Sequence, residues 1–410
     1  WKKNQAISMT KFEDYSGEYA GNADKISFKI FKEQEAAYTA LLADQIDIID
    51  QIPANALVGD KYKSDLGDRQ LSQPNSTSQW VGMNYHIDKK LANKDLRHAL
   101  SMAIDRETIV KQIFNNAYEP STGVVSPVVD GFKEDQCGEY CVYDEEKAKD
   151  LFEKAGGYDG KLTLTYNGDG GHKEWTEAVC NQIRDNLGVE CKATPTVDFA
   201  TFLTDLEERK TKGLFRYGWQ MDYPSIENFL VPLYSSGASS NYYDYKSEEF
   251  DSLMTQAAAA DTLEDANALY QQGEALLAED MRVIPLWYST TTMGWSDKVT
   301  NVKVTPFGVP VEPGTIAARI DRELSIAGDP MRTDFKTVLD LVQHATLLGG
   351  HVHVHDDATL SGGVAVHHFS RSLTIFEAAD DLYHTALANF LIGQTLSKHN
   401  PDKARKNLLS

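Results

Sequence analysis

The chain has 410 residues, enough for two or three domains, and its 41% hydrophobic content excludes a disordered chain. The formal net charge of -21 excludes nucleic acid and anionic membrane surfaces as partners, since both attract basic patches. No apolar run in the sequence reaches the roughly 18 residues that a membrane-spanning helix needs.

Strand-like and helical patterns alternate along the first 300 residues, which predicts an α/β fold. Short apolar or alternating runs predict strands at 25–31, 46–49, 80–84, 162–166, 214–219 and 284–295. Helical spacing predicts helices at 33–44, 93–114, 144–155, 173–187, 198–209, 247–260 and 262–279. Asn93, Ser247 and Thr262 are expected to cap three of these helices. The glycine-rich loop 167–171 lacks the Lys-Ser/Thr ending of a phosphate-binding loop and is interpreted as a turn.

The four cysteines form two local pairs, Cys137 with Cys141 and Cys180 with Cys191. The first pair bounds a short loop, and the second connects a predicted helix to the strand-like run after it, so each spacing suits a disulfide. A zinc site built from all four is less favoured because the tight two-residue spacing is missing. We therefore predict two disulfides and an extracytoplasmic protein. The start at Trp1, without a signal peptide, is typical of a mature secreted form or of a fragment.

The segment 216–224, RYGWQMDYP, places one acidic residue, Asp222, between two aromatic residues, Trp219 and Tyr223. An aromatic-walled pocket with one fixed negative charge suits an ammonium group. The same pattern is typical of an Asp that caps the next helix, expected at 225–230. Of the two interpretations, the helix cap is the more common use of Asp at such a position.

An ordered series of motifs extends over the first three-quarters of the chain: ADQIDI at 43–48, NKDLRHALSMAIDR at 93–106, GW at 218–219, DYP at 222–224, SNY at 240–242, EFDSL at 249–253 and IPL at 284–286. This series resembles the peptide-binding extracytoplasmic solute-binding proteins of ABC importers, family 5. The resemblance implies a type II periplasmic-binding-protein fold, in which two α/β lobes close over a ligand.

The resemblance also implies a site and a function. In that family an acidic residue after the Gly-Trp motif holds the peptide amine, which by position is Asp222, so the preference for a helix cap is reversed. Trp219 and Tyr223 would wall the cleft, and Asn241 and Tyr242 would line it. The expected function is capture of oligopeptides at the cell surface or in the periplasm and delivery to an ABC permease, without catalytic residues or a cofactor. A lipid anchor on the full-length form is a further expectation.

The resemblance implies that family members begin with about half a lobe and a small extra domain before the point that matches Trp1. We therefore expect residues 1–81 to form part of an incomplete first lobe, 82–287 the ligand-binding second lobe, and 288–310 the return to the first lobe. A separate N-terminal fragment is the expected partner that completes the first lobe, since missing strands leave apolar edges exposed.

The composition changes after a linker expected at 311–314, and residues 315–410 are predicted to form a small α/β or α+β domain of unrecognised family. Eight of the eleven histidines lie in the last 70 residues. Three of them, His351, His353 and His355, alternate along a predicted strand and could bind zinc or nickel, which makes a metal-binding or metal-dependent enzymatic tail the alternative function. An exposed histidine-rich face, a pH-sensitive contact and packing against the open edge of the first lobe are other interpretations of the tail.

Overall fold

The structure is a computed structural model. It describes residue 2, residues 5–12, residue 14 and residues 23–308, together with the backbone of residues 317–318 and 323–328. The linker expected at 311–314 and the histidine-rich strand expected at 351–355 lie outside the described residues. So do the other elements expected in the tail, at 332–348, 363–376 and 377–394.

A ten-stranded mixed sheet runs through the described part of the chain, with the strand order β1-β2-β12-β3-β9-β4-β8-β6-β7 and with β5 paired to β9. A separate short pair joins β10 to β11. The strands are β1 (Ala6–Thr10), β2 (Lys25–Ile30), β3 (Ile48–Ile49), β4 (Gln70–Asn84), β5 (Glu119–Pro120), β6 (Leu162–Asn167), β7 (Cys191–Thr196), β8 (Gly213–Trp219), β9 (Val283–Trp295), β10 (Val299–Thr300), β11 (Ala317–Ala318) and β12 (Glu323–Gly328).

Two long antiparallel strands, β4 and β9, connect the two ends of this sheet. β4 pairs with β9 along residues 70–82 and with β8 along residues 78–84. We call the end with β1, β2, β12 and β3 the β3 half, and the end with β8, β6 and β7 the β8 half. In the β8 half, β6 is parallel to both of its neighbours.

Eleven α-helices pack around the sheet in the described part of the chain, and side-chain caps start several of them. Asn93, Ser247 and Thr262 accept hydrogen bonds from the backbone N–H groups three residues on, as the sequence predicted. The helices are α1 (Gln34–Leu42), α2 (Ala54–Leu57), α3 (Lys61–Leu66), α4 (Lys94–Met102), α5 (Arg106–Phe114), α6 (Glu145–Lys154), α7 (Lys173–Leu187), α8 (Phe199–Glu207), α9 (Glu227–Tyr234), α10 (Glu248–Ala258) and α11 (Leu263–Asp280).

The single helix predicted at 93–114 is wrong, because α4 ends at Met102 and α5 begins at Arg106. Asp105 has an extended backbone, and its carboxylate accepts a 2.9 Å hydrogen bond from Thr108 N. A side chain that caps a new helix interrupts the old one even where the apolar spacing continues.

Both predicted disulfides are confirmed. Cys137 and Cys141 are joined across a short loop with a Cα–Cα distance of 5.7 Å. Cys180 of α7 is joined to Cys191 of β7 with a Cα–Cα distance of 4.9 Å, so the bond ties a helix of the β8 half to the edge strand of the sheet.

A strand from the far side of the expected linker belongs to the β3 half. β12 lies between β2 and β3 and is parallel to both, with Glu323 opposite Lys25 and Ile326 opposite Ile48. A segment that the sequence assigns to the C-terminal domain therefore supplies backbone hydrogen bonds to two strands that would otherwise end in open edges.

Candidate ligand-binding cleft

A cleft of about 200 Å³ lies between the β3 half and the β8 half, over the crossing strands β4 and β9. The β3 half contributes the start of α1 and the segment from β3 to α2. The β8 half contributes the loop after β6, the start of α7 and the end of β8. Clefts at a junction between packed units are the usual place for small-molecule sites.

The floor of the cleft is an interruption in the β4–β9 ladder. Pro74 pairs with Thr290 and Ser78 pairs with Tyr288, so residues 75–77 bulge out of the ladder opposite Ser289. The Asn75 side chain shapes the bulge, because its Oδ1 accepts a 2.8 Å hydrogen bond from Thr77 N. A bulge of this kind releases main-chain groups from the ladder, and here Ser76 N donates to Pro306 O at 2.8 Å instead.

Two cleft-lining side chains of the same strand have an oxygen that is buried without a hydrogen-bond partner among the described residues, Thr77 Oγ1 and Gln79 Oε1. Both residues line the cleft. Buried polar atoms in proteins are nearly always hydrogen-bonded, and an unpaired one at a cleft surface indicates a group that a ligand can satisfy.

Arg216 of β8 is the charged group that the β8 half brings to the cleft. Its side chain is 1% exposed, and its guanidinium lies 5.4 Å from the ring centroids of Phe199 and Phe202. Nε donates a 2.8 Å hydrogen bond to Oδ1 of the buried Asn167. The sequence analysis did not assign Arg216 a role. An arginine inside the apolar strand LFRYGW was the signal, since arginine is rarely buried without a specific reason.

The segment around Asp222 is held together by Asn228 of α9. Asn228 Oδ1 accepts from Trp219 Nε1 at 2.9 Å and from Asp222 N at 2.8 Å, while its Nδ2 donates to Asp222 Oδ2 at 2.9 Å. Trp219 lines the cleft, whereas Asp222 and Tyr223 lie beyond the strand end and outside the lining, with Asp222 exposed. The N-cap of α9 is Ile226, which makes no side-chain cap bond, so Asp222 contacts an amide of the first turn rather than capping the helix.

Asn241 and Tyr242 lie behind the cleft wall. The Asn241 amide group is bonded to main chain, donating to Ser235 O at 3.0 Å and accepting from Tyr245 N at 2.9 Å, so it shapes the loop between α9 and α10. Tyr242 is 6% exposed and packs edge-on against Tyr217, which does line the cleft. Neither Asn241 nor Tyr242 is a cleft-lining residue, and Tyr242 contacts the lining residue Tyr217 from behind.

An aromatic cluster forms another part of the lining: Phe114, Tyr118, Trp175 and Trp287. Phe114 stacks on Tyr118 with ring centroids 4.3 Å apart, and Trp287 meets both Phe114 and Trp175 edge-on at 5.2 Å. Sequence reasoning did not connect these residues, because they come from three separate segments of the chain that meet only in the folded protein.

The glycine loop after β6 forms the rim of the cleft. Gly171 has φ +66°, and a Cβ there would lie 2.8 Å from Oε1 of Gln34 at the start of α1. The loop therefore brings the β8 half into contact with the β3 half at a point where only glycine fits without adjustment.

His172 follows this loop and is neutral at pH 7. Burial, and next the positive charge of Arg216, lower the pKa of its imidazole well below the usual range. Its Nδ1 accepts a 3.1 Å hydrogen bond from Trp175 Nε1. With His172 neutral, Asp50 and Arg216 are the charged side chains among the described residues that line the cleft.

Among the described residues, no group of His, Cys, Asp and Glu side chains is arranged to hold a metal ion. Within the same part of the chain, every helix is too short or too polar to cross a membrane.

Comparison with known proteins matches this architecture to one fold. The dipeptide-binding protein DppE of Bacillus subtilis is 25% identical over 325 residues, which are 75% of this chain and 57% of DppE. The structure of OppA from Burkholderia pseudomallei superposes with a TM-score of 0.70 at 24% identity, covering 78% of this chain and 63% of OppA. The oligopeptide-binding protein AppA of Bacillus subtilis, in complex with a nonapeptide, gives a TM-score of 0.67 at 22% identity, covering 78% of this chain and 65% of AppA. The chain spans about half the length of the curated relatives it matches.

The predicted fold class, that of type II periplasmic binding proteins, is confirmed by these structures. Residues 1–241 match the model of the bacterial extracellular solute-binding proteins, family 5 Middle, a family of binding proteins rather than enzymes. Because this match covers more than half of the chain, the protein belongs to the family 5 extracellular solute-binding proteins.

Proposed function

We propose that this protein captures short peptides outside the cytoplasmic membrane and delivers them to an ABC permease. The observation that carries the proposal is the interrupted β4 ladder at the floor of a cleft between two α/β halves. The unpaired side-chain oxygens of Thr77 and Gln79 suit the amide groups of a peptide backbone, which are the same for every sequence. The names of DppE and AppA, a dipeptide-binding and an oligopeptide-binding protein, support this ligand class.

The charges at the cleft suit a zwitterion. Arg216 is a buried cation that can pair with a carboxylate, and such charge-assisted hydrogen bonds are roughly twice as strong as neutral ones. For the peptide amine we propose Asp222, whose carboxylate Asn228 fixes next to Trp219. Asp50 lines the cleft directly and is the competing anchor.

Calorimetry on the full chain tests the proposal with Ala-Phe-Ala, its N-acetyl derivative and its C-terminal amide. We expect the free peptide to bind, and each blocked form to bind at least about tenfold more weakly because one charge pair with the protein is lost. The absence of binding by all three peptides would overturn the peptide function.

The amine anchor is assigned by comparing Asp222→Asn with Asp50→Asn. In the variant that lacks the anchor, the free and the N-acetylated peptide should bind with similar affinity. Asp261→Asn, an exposed residue between α10 and α11, is the matched control and should keep the difference. Equal affinities in Asp50→Asn alone would move the anchor from Asp222 to Asp50.

A further inference from the structure

We propose that the aromatic cluster selects peptides with an apolar, preferably aromatic, side chain at one position. This inference rests on the proposed peptide function and names its ligand class more closely. The cluster is continuous, since each of its rings touches another ring of the cluster, with centroid distances between 4.3 and 5.2 Å.

Two polar atoms of the cluster are engaged within the protein. Trp175 Nε1 donates to His172 Nδ1, and the Tyr118 hydroxyl accepts a 2.9 Å hydrogen bond from Gln51 Nε2. Phe114 has no polar side-chain atom. The cluster therefore presents mainly ring carbon to the cleft, and ring edges and faces favour another aromatic group in an offset or edge-on arrangement.

The β3 half supplies apolar side chains to the same cleft. Ile52 and Leu57 both line it, and both belong to the buried apolar core of that half, at 1% and 4% exposure. Helix α2, which carries Leu57, packs against helix α5, which carries Phe114. An apolar ligand side chain can thus contact carbon from both halves.

A charged side chain would be at a disadvantage in this subsite. The cluster itself contains no ionised group, and His172 beside it is neutral, so a lysine or glutamate of the ligand would lose hydration without a hydrogen-bonded counter-charge there. One methylene group more or less in a hydrophobic pocket changes the preference for a ligand by roughly 10- to 200-fold. A selectivity of at least about tenfold is therefore expected here.

The test is calorimetry on the full chain with three sets of tripeptides, which place Phe, Lys or Glu at each position of tri-alanine. We expect one Phe peptide to bind at least about tenfold more tightly than the Lys and Glu peptides with the same position substituted. Tyr118→Ala should reduce that ratio to about threefold or less, whereas Tyr118→Phe should keep it, because the ring rather than the hydroxyl makes the contact.

Tyr143→Ala is the matched control, since Tyr143 is 39% exposed outside the cleft lining, and it should keep the full ratio. Thermal unfolding of each variant checks that it is folded. Similar affinities for the Phe, Lys and Glu peptides, or an unchanged ratio in folded Tyr118→Ala, would overturn the selectivity while leaving the peptide function intact. Binding of none of the tripeptides would overturn both.

Discussion

Asn167 accepts a 2.8 Å hydrogen bond from the Arg216 guanidinium, so the cation of the cleft is tied to the residue that ends β6 and begins the glycine loop. Asn167 also donates to Asp169 Oδ1 at 2.6 Å within that loop. One buried amide therefore connects the charge in the cleft to the rim that meets the opposite half.

Removing this amide should weaken both folding and binding. We expect Asn167→Ala to lower the free energy of unfolding by about 1–3 kcal/mol, because the buried guanidinium loses a partner. Affinity for Ala-Phe-Ala should fall more than affinity for its C-terminal amide, as calorimetry can show. Asn186→Ala, which removes a 2.8 Å bond to Ala103 O, is the control and should weaken the two peptides equally or not at all. An equal loss for both peptides in Asn167→Ala would contradict the link to Arg216.

The contact between the two halves at the rim of the cleft should depend on Gly171. Gly171→Ala places a Cβ against Gln34 in a backbone conformation that disfavours alanine, so we expect a loss of about 1 kcal/mol in unfolding free energy and weaker peptide binding. Gly188→Ala is the matched control, because Gly188 has φ +70° and no atom within 4 Å of a new Cβ. It should show the stability loss without the binding loss. Equal binding losses in the two variants would contradict a contact across the cleft.

Glu274 of α11 should make stability fall as the pH rises. Its Oε1 accepts from Val124 N and Val125 N at 2.9 and 3.2 Å, and burial raises its pKa to about 7. A carboxyl group whose pKa is higher in the folded state than in the unfolded state binds more protons when folded. The free energy of unfolding therefore falls as the pH rises from about 4.5 to about 7, and the loss stays complete above that range.

Three buried or nearby groups face Glu274: the hydroxyls of Tyr234 and Tyr288, which stay neutral in this range, and the cation of Lys133. Glu274→Gln mimics the protonated form and should match the wild type at pH 4.5 but exceed it at pH 8, by on the order of 3 kcal/mol. Chemical denaturation across this pH range measures the difference. Glu279→Gln, an exposed partner of Lys94, is the control. A difference between Glu274→Gln and wild type that does not change with pH would contradict the raised pKa.

The strand β12 should stabilise the β3 half. Proline at position 326 cannot donate to the ladder between β2 and β3, so Ile326→Pro should cost about 3 kcal/mol or more, as proline does inside regular structure. Ile326→Val keeps the N–H and should change the melting temperature little. Identical melting curves for the two variants would show that residues 323–328 do not contribute to the sheet.

Metal binding by residues 315–410, the alternative function, stays a prediction. If the alternative function holds, the purified chain binds about one zinc or nickel ion, and the double variant His353→Ala/His355→Ala loses it. The variant His384→Ala/His399→Ala, in the same tail, is the control and should keep the ion. Metal content measured by mass spectrometry decides between them, and a chain that binds no metal would remove the alternative function.

Local features of the fold could be predicted from the sequence, because they depend on neighbours along the chain. The caps at Asn93, Ser247 and Thr262 and the Cys180–Cys191 bond between a helix and the next strand are of this kind. The split between α4 and α5 was missed, although Asp105 carried the signal, since continuous apolar spacing outweighed a single capping residue.

The residues of the candidate site also differ in whether the sequence could predict their place. Trp219 was found because it belongs to a contiguous motif, RYGWQMDYP, that also carries the family resemblance. Asn241 and Tyr242 belong to a motif as well, but a motif does not show on which side of a wall a side chain lies. The structure places both outside the cleft lining, with Tyr242 packed against the lining residue Tyr217.

The sequence by itself determined the family, the alternation of strands and helices, the disulfide pairs and the acid-aromatic segment. Each of these features depends on residues that are close together in the chain. Only the tertiary structure decided that Phe114, Tyr118, Trp175 and Trp287 form one wall, that Arg216 faces the same cleft, and that β12 enters the sheet between β2 and β3. The physical reason is that strand pairing and side-chain packing bring distant segments together, and the hydrophobic spacing of each segment specifies that it is buried without specifying against what.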